Sequence, residues 1–201
     1  DRSREVFNMT VDFFLFDDFE TLDVFGPAEI LERAGMEVRL CSPRGGMVMS
    51  AQKIMVITQP ICDSEGEVLL VPGGPGTRRL VKDEEFLAMV RGAAAQCQWL
   101  LSVCTGSAVL AKAGLLDGKQ ATGNKRAFDW TVSCGEKVLW QKKARWVADG
   151  NVYTSSGISA GMDMALAFVA DRMGEQEAEE VARRIEYRRC RDAADDPFAG
   201  E

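Results

Sequence analysis

The chain has 201 residues, a length that one hydrophobic core can organise, and 46% of them are apolar. Thirty-one acidic residues outnumber 24 lysines and arginines, so the net charge is −7. This balance argues against nucleic acid as a partner, because binding a phosphate backbone needs a positive face. No apolar run approaches the roughly 20 residues that span a bilayer, and the first residues lack the apolar stretch of a secretory signal. We therefore expect a cytoplasmic protein with no membrane partner.

Histidine is absent, which removes every Ser–His or Cys–His catalytic mechanism and every histidine-ligated metal site. No two cysteines have the C-x-x-C spacing of a thiolate zinc site, and a core of this size needs no disulfide framework. The sequence therefore predicts reduced thiols, no metal and no cofactor. The six cysteines are Cys41, Cys62, Cys97, Cys104, Cys134 and Cys190.

Residues 1–10 are interpreted as an extension of the native protein or a cloning remnant, and residues 11–201 as a single domain. Short, almost wholly apolar runs are typical of strands that are covered on both faces. In the first half of the domain we predict strands at Val11–Phe16, Met36–Ser42 and Glu67–Gly74, a small β excursion over residues 45–60 and helices ending at Gly35 and spanning Asp83–Gln96, with Asp83 as an N-cap.

The second half continues the alternation of strands and helices. It predicts a strand at Gln98–Cys104, a helix at Thr105–Gly114, a short strand near Ala121, a helical stretch to about Cys134, a hairpin of two alternating strands turning at Asp149-Gly150, and closing helices at Gly161–Met173 and Glu175–Arg189. This order predicts an α/β fold: a mostly parallel sheet with helices on both faces and a small β-hairpin.

The segment LLSVCTGSAVLAKAG carries the main candidate for chemistry. An apolar strand stops at Val103 and a helix begins within two residues, which leaves Cys104 on a sharp turn. Such a turn presents one side chain at the carboxyl end of the sheet, where open α/β folds bind ligands. The positive end of the helix is expected to lower the thiol pKa below its free value of about 8.5. The alternative is a buried packing cysteine.

Two further segments end at the same edge of the predicted sheet. After the first strand, Asp23 is the acid best placed to be drawn inward, where desolvation would raise its pKa and suit it to proton transfer; the alternative is a cap for a helix starting near Val24. The loop Pro72–Gly76 could offer the N–H groups of Gly73 and Gly74 to a developing negative charge, or be an ordinary tight turn. It has no nucleotide-binding glycine order.

In this order and spacing, LFDDFETLDVFGPAEIL, LLVPGG and SVCTGSAVLAKAGLL resemble the ThiJ/PfpI superfamily. The resemblance runs from about Val11 to Tyr187. It implies the flavodoxin-like three-layer sandwich that this superfamily shares with class I glutamine amidotransferases, and a homodimer. The chain is most similar to the isocyanide hydratase branch, which has aspartate at the Asp23 position. GISAGMD, RIEY and DPFAG support that branch.

The resemblance also implies the site. Cys104 is the expected nucleophile and Asp23 the acid that contacts its sulfur. Gly73 or Gly74, with Thr105, would form an anion pocket from backbone N–H groups. Many members read A-T-T-H-W where this chain has Ala121-Thr-Gly-Asn-Lys, so Asn124 stands where a histidine is common. Asn124 and Ile158 are expected to line the pocket.

Three functional hypotheses follow. The first is a cysteine-dependent enzyme acting on a small electrophilic molecule, in its sharpest form a lyase that hydrates isocyanides to N-substituted formamides. The second is a non-catalytic redox sensor or ligand-binding domain; related domains precede DNA-binding modules in AraC-type regulators, and we expect none here because the chain ends at Glu201. The third, an amidase, peptidase, glyoxalase or deglycase, is disfavoured because no histidine can shuttle protons.

Overall fold

The computed structural model describes residues 9–63 and 65–200, so the proposed extension lies outside the described residues except for Met9 and Thr10. The strands within the described residues are β1 (Thr10–Phe14), β2 (Glu37–Ser42), β3 (Gly46–Met49), β4 (Met55–Pro60), β5 (Val68–Val71), β6 (Trp99–Val103), β7 (Gln120–Ala121), β8 (Leu139–Trp140), β9 (Trp146–Asp149) and β10 (Val152–Ser155). The helices are α1 (Thr21–Arg33), α2 (Thr77–Leu80), α3 (Glu84–Gln96), α4 (Gly106–Lys112), α5 (Phe128–Ser133), α6 (Ala160–Met173) and α7 (Glu175–Arg184).

The main sheet has the strand order β3-β4-β2-β1-β5-β6-β10-β9. Its five central strands, β2-β1-β5-β6-β10, pair in parallel, β4 adds to them in parallel beside β2, and β3 and β9 pair antiparallel at the two edges. Numbered along the chain, those five strands follow the order 2-1-3-4-5 of flavodoxin-like proteins. The predicted α/β class and flavodoxin-like sandwich are therefore confirmed.

Helices cover both faces of the sheet. α1, α6 and α7 pack against one another on one face, and α2 to α5 pack together on the other. The central strands need this double cover because their side chains are apolar on both sides: every residue of β5 is buried, as are four of the five in β1 and in β6. In such sheets, ligands bind beyond the carboxyl ends of the strands, near the point where the strand order reverses. Here that point lies between β1 and β5.

Three sequence predictions for the C-terminal part of the chain need correction. Asp149 pairs with Val152, so the hairpin loop is Gly150-Asn151, one residue later than predicted. β10 is also buried throughout instead of alternating, because it lies between β6 and β9 and under α6. The last helix ends at Arg184, not at Arg189.

Candidate active site

Cys104 occupies a strained turn between β6 and α4. Its backbone φ is +60°, a left-handed conformation that costs a residue with a Cβ about 1–2 kcal/mol. The turn is held by its own N–H group, which donates to the carbonyls of Ser155 and Ser156 at 3.2 and 3.3 Å. The predicted sharp turn is thus present, although only 5% of the Cys104 surface is exposed.

Gly73, at the end of β5, lies directly against this turn. A Cβ on Gly73 would lie 2.5 Å from the Thr105 nitrogen and 2.9 Å from the Cys104 Cβ. Glycine is needed here because any side chain would push the turn away. The close approach brings the carboxyl ends of two neighbouring strands, β5 and β6, to one point.

Asp23 lies fully buried in the first turn of α1 and completes this meeting point from the β1 side. Its Oδ2 accepts a hydrogen bond from the Gly73 N–H group at 2.8 Å. Its other oxygen, Oδ1, is buried with no hydrogen-bond partner in the part of the chain that the structure describes. The alternative interpretation as a helix cap is wrong, because α1 begins at Thr21 and Asp23 caps nothing.

Burial controls the acidity of both candidate catalytic groups. Desolvation raises the pKa of Asp23 well above its ordinary value, opposed by the Gly73 N–H group. Desolvation is the largest cause that raises the pKa of the Cys104 thiol, and the charge of Asp23 is the second. Hydrogen bonds from the Thr105 N–H group and the Asn124 side chain act in the opposite direction and lower the pKa. The sequence prediction of a lowered thiol pKa is therefore wrong. The two groups lie close enough to influence each other, and desolvation disfavours charge on both.

Asn124 places a hydrogen-bond donor on the sulfur. Its Nδ2 lies 3.1 Å from the Cys104 Sγ, and its backbone N–H group donates to the Cys104 carbonyl at 3.3 Å. The amide orientation is determined by Oδ1, which accepts the Ala127 N–H group at 2.9 Å, so the NH₂ group must face the sulfur. Asn124 thus contacts the sulfur directly.

The predicted anion-pocket residues converge on the same point, but the glycine N–H groups already have partners. Gly73 donates to Asp23, and Gly74 donates to the Thr105 Oγ1 at 3.0 Å. Thr77, which the sequence analysis missed, lies 3.0 Å from the Thr105 Oγ1 through its own hydroxyl. The Thr105 N–H group faces the Cys104 sulfur. The role of these groups in anion binding stays a prediction.

Gly157 borders the sulfur on the remaining side, and the sequence analysis missed it as well. A Cβ at this position would lie 3.0 Å from the Cys104 Sγ and would collide with the Asn124 amide. The next residue, Ile158, has 37% of its surface exposed. Its predicted place in the pocket lining is not tested by any contact. The signal for Gly157 was its position in the motif GISAGMD.

Neither a metal site nor a membrane helix emerges from the described residues. Within 9–63 and 65–200, no three acidic or cysteine side chains come together in a group that could hold a metal ion. In the same residues, no helix combines the length and apolar character needed to cross a bilayer.

The fold and the turn define an α/β protein with a cysteine at the carboxyl edge of its sheet, and comparison with known proteins makes this more specific. The model of the DJ-1/PfpI family matches residues 9–171, so the chain belongs to the DJ-1/PfpI family. The predicted ThiJ/PfpI resemblance is thereby confirmed.

Individual relatives differ in what they do. The isonitrile hydratase of Pseudomonas putida is 35% identical over 184 residues, 89% of this chain and 78% of the relative. The HTH-type transcriptional regulator GbdR of Pseudomonas aeruginosa is 28% identical over 92% of this chain, which spans 53% of that regulator. A crystal structure of a ThiJ/PfpI family protein from Pseudomonas syringae superimposes with a TM-score of 0.81 at 28% identity, covering 90% of this chain and 75% of the other.

Proposed function

We propose that this protein is a cysteine-dependent lyase that adds water to isocyanides (isonitriles) and releases N-substituted formamides. The observation that carries the proposal is the buried pair of Cys104 and Asp23, in which the carboxyl oxygen Oδ1 accepts no hydrogen bond from the described residues. The 35% identity to an isonitrile hydratase supports the same substrate class.

The first step joins sulfur to carbon. Burial raises the pKa of both the thiol and the carboxyl, and the reactive form that we assign holds a protonated Cys104 beside an ionised Asp23. As the sulfur attacks the terminal carbon of R–N≡C, Asp23 accepts the S–H proton. The same carboxyl then donates that proton to the carbon, which gives the thioimidate S–CH=N–R. A raised pKa makes the Asp23 carboxylate a stronger base toward the S–H group, and the carboxylic acid so formed can protonate the more basic carbon of the adduct.

The second step adds water. Water bonds to the thioimidate carbon while its proton moves to nitrogen, giving S–CH(OH)–NH–R. The carbon–sulfur bond then breaks, the hydroxyl proton returns to the sulfur through Asp23, and R–NH–CHO leaves. No redox partner is required. The N–H groups of Asn124 and Thr105 face the departing sulfur and stabilise the negative charge that develops there.

This chemistry uses no histidine, which the chain lacks. Peptide or sugar-adduct hydrolysis usually needs a base that also protonates a leaving amine or alkoxide, and Asn124 cannot do this. We therefore rank those reactions below hydration. Redox sensing by Cys104 remains the alternative, and we expect the buried, protonated thiol to oxidise slowly.

The test measures formamide formation from a simple alkyl isocyanide by proton NMR. We expect product with the wild-type protein, none with Cys104→Ala, and wild-type rates with Cys97→Ala, which removes a half-buried thiol in the loop before β6. Failure of the wild-type protein to form formamide, or an unchanged rate in Cys104→Ala, would reject hydration through this residue.

We further propose that the protein is a homodimer in the cytoplasm. Met47, Met49, Met55 and Ile57 face outward from the β3–β4 hairpin, and Met47 and Ile57 are 69% and 80% exposed. An apolar edge of this kind favours pairing with the same surface of a second copy. All six cysteines are free thiols, which supports a reducing compartment.

A further inference from the structure

A buried lysine follows Asn124 directly. Lys125 is only 6% exposed, and its ammonium group donates three hydrogen bonds. The acceptors are the Ala144 carbonyl at 2.6 Å, the Thr122 Oγ1 at 2.7 Å and the Gly123 carbonyl at 3.3 Å. All three acceptors are uncharged. A buried cation among neutral oxygens costs free energy, so it needs an explanation.

Two of the three acceptors of Lys125, Thr122 and Gly123, belong to a segment that is anchored elsewhere in the fold. The Thr122 N–H group donates to the Thr154 Oγ1 of β10 at 2.9 Å, and the Thr122 hydroxyl donates to the Gln141 carbonyl at 2.8 Å. The bond from Lys125 to Ala144 ties the same segment to the chain just before β9. Lys125 therefore connects the segment before Asn124 to the chain at the edge of the sheet, through its bonds to Thr122, Gly123 and Ala144.

One peptide unit connects the lysine to the active site. The carbonyl of the Gly123–Asn124 peptide accepts from Lys125, and the N–H group of the same peptide donates to the Cys104 carbonyl. The C=O and N–H groups that make these two bonds lie in one rigid peptide plane and point in opposite directions. The orientation of this plane sets where the Asn124 side chain starts, and the Nδ2 of that side chain lies 3.1 Å from the Cys104 sulfur.

We propose that Lys125 is a positioning residue that fixes the Gly123–Asn124 peptide and thereby holds the Asn124 amide on the Cys104 sulfur. The inference deepens the proposed function but needs only that Cys104 can react, whatever its substrate.

The charge of Lys125 makes this positioning pH-dependent. Burial lowers the pKa of Lys125 to about 8; Asp196 opposes the change, and Arg145 and Lys142 add to it. The Phe128 ring, whose centroid lies 5.5 Å from the ammonium group, gives it a cation–π contact but no counter-charge. The ammonium form has one donor for each of its three acceptors, whereas the neutral amine has two donors. Above pH 8 one acceptor loses its donor, and the Gly123 carbonyl has the longest bond to lose.

The test is the rate at which iodoacetamide alkylates Cys104 at neutral pH, followed by mass spectrometry of the Cys104 peptide. We expect Lys125→Met and Asn124→Leu each to slow alkylation about tenfold, since each removes or misplaces a hydrogen bond to a developing thiolate. The double variant should be no slower than Asn124→Leu alone. Lys142→Met, which removes a lysine beside the same Phe128 ring, should react like the wild-type protein.

Wild-type reactivity in Lys125→Met, or additive losses in the double variant, would overturn the proposal. Because no isocyanide is used, this result is independent of whether hydration occurs. If Lys125→Met does not fold, the Cys104→Ala protein serves instead. Its Asn124 side-chain NH₂ signal in NMR spectra should shift with a midpoint near pH 8, and a flat titration would contradict the role of Lys125.

Discussion

At the scale of single residues, Asp23 is assigned both proton transfers of the proposed reaction. Asp23→Asn keeps an oxygen for the Gly73 N–H group but removes the transferable proton. We expect formamide formation to fall by about 10²-fold or more, the usual size of a general acid–base contribution. Asp17→Asn, the same change at an exposed acid in the loop before α1, should leave the rate unchanged.

Asp23→Asn should have the opposite effect on alkylation of Cys104. The Asp23 charge is the second cause of the raised thiol pKa, so its removal increases the thiolate fraction. The larger thiolate fraction is partly offset by the lower nucleophilicity of a weaker base, so we expect alkylation to be faster by roughly threefold. Slower alkylation in this variant would show that the resting proton lies on Asp23 instead.

Lys125 also has a thermodynamic signature. Its folded pKa of about 8 lies below the ordinary 10.5, so between these pH values the unfolded chain holds a proton that the folded protein has lost. The free energy of unfolding therefore rises with pH across this window, by roughly 3 kcal/mol in total. Denaturant titrations should show the rise in the wild-type protein and lose it in Lys125→Met. An equal slope in both proteins would mean that Lys125 titrates normally.

At the scale of secondary-structure elements, α3 has a predicted cap that the structure contains. The Asp83 side chain accepts the Phe86 N–H group at 3.1 Å. Asp83→Ala should lower the free energy of unfolding by about 1 kcal/mol without changing hydration, because α3 lies away from Cys104. Glu85→Ala, in the same first turn but without a capping bond, is the control, and equal losses in the two variants would argue against the cap.

At the scale of the whole molecule, a buried charge network fastens the C-terminal segment. The Arg145 Nε lies 2.8 Å from the Asp163 Oδ2, and Oδ1 of the same carboxylate accepts the Tyr187 hydroxyl and the Cys190 N–H group. Asp163→Ala leaves the guanidinium buried without its nearest partner and should cost about 3 kcal/mol or more. Glu180→Ala removes surface ion pairs and should cost less than about 1 kcal/mol. Similar losses in denaturant titrations would contradict this contrast.

The proposed dimer is tested at the same scale. Ile57→Lys places a charge in the centre of the exposed hairpin face and should convert the dimer to a monomer in light scattering after size-exclusion chromatography. Gln98→Lys adds the same charge at an exposed position before β6 and should leave the dimer intact. A monomeric wild-type protein, or a dimeric Ile57→Lys variant, would reject this interface.

The sequence by itself determined the strand and helix order, the turn at Cys104 and the Asp83 cap, because each follows from local spacing of apolar, glycine and capping residues. The family followed from the resemblance of three sequence segments to a known superfamily, and the family model confirms it. It placed the edges of the sheet less well: the burial of β10 depends on its neighbours β6 and β9, which lie far away in the chain. The end of α7 at Arg184 likewise was not visible in helical spacing.

Only the tertiary structure decided the electrostatics of the site. Local spacing favoured a low thiol pKa for Cys104 and left a capping role open for Asp23, yet packing of β1, β5 and β6 removes both groups from water and turns Asp23 toward Gly73. Likewise, the sequence around Lys125 does not predict that its ammonium group is buried. Burial sums contributions from distant segments, so the pKa of a side chain is a property of the assembled fold and not of its neighbours in the chain.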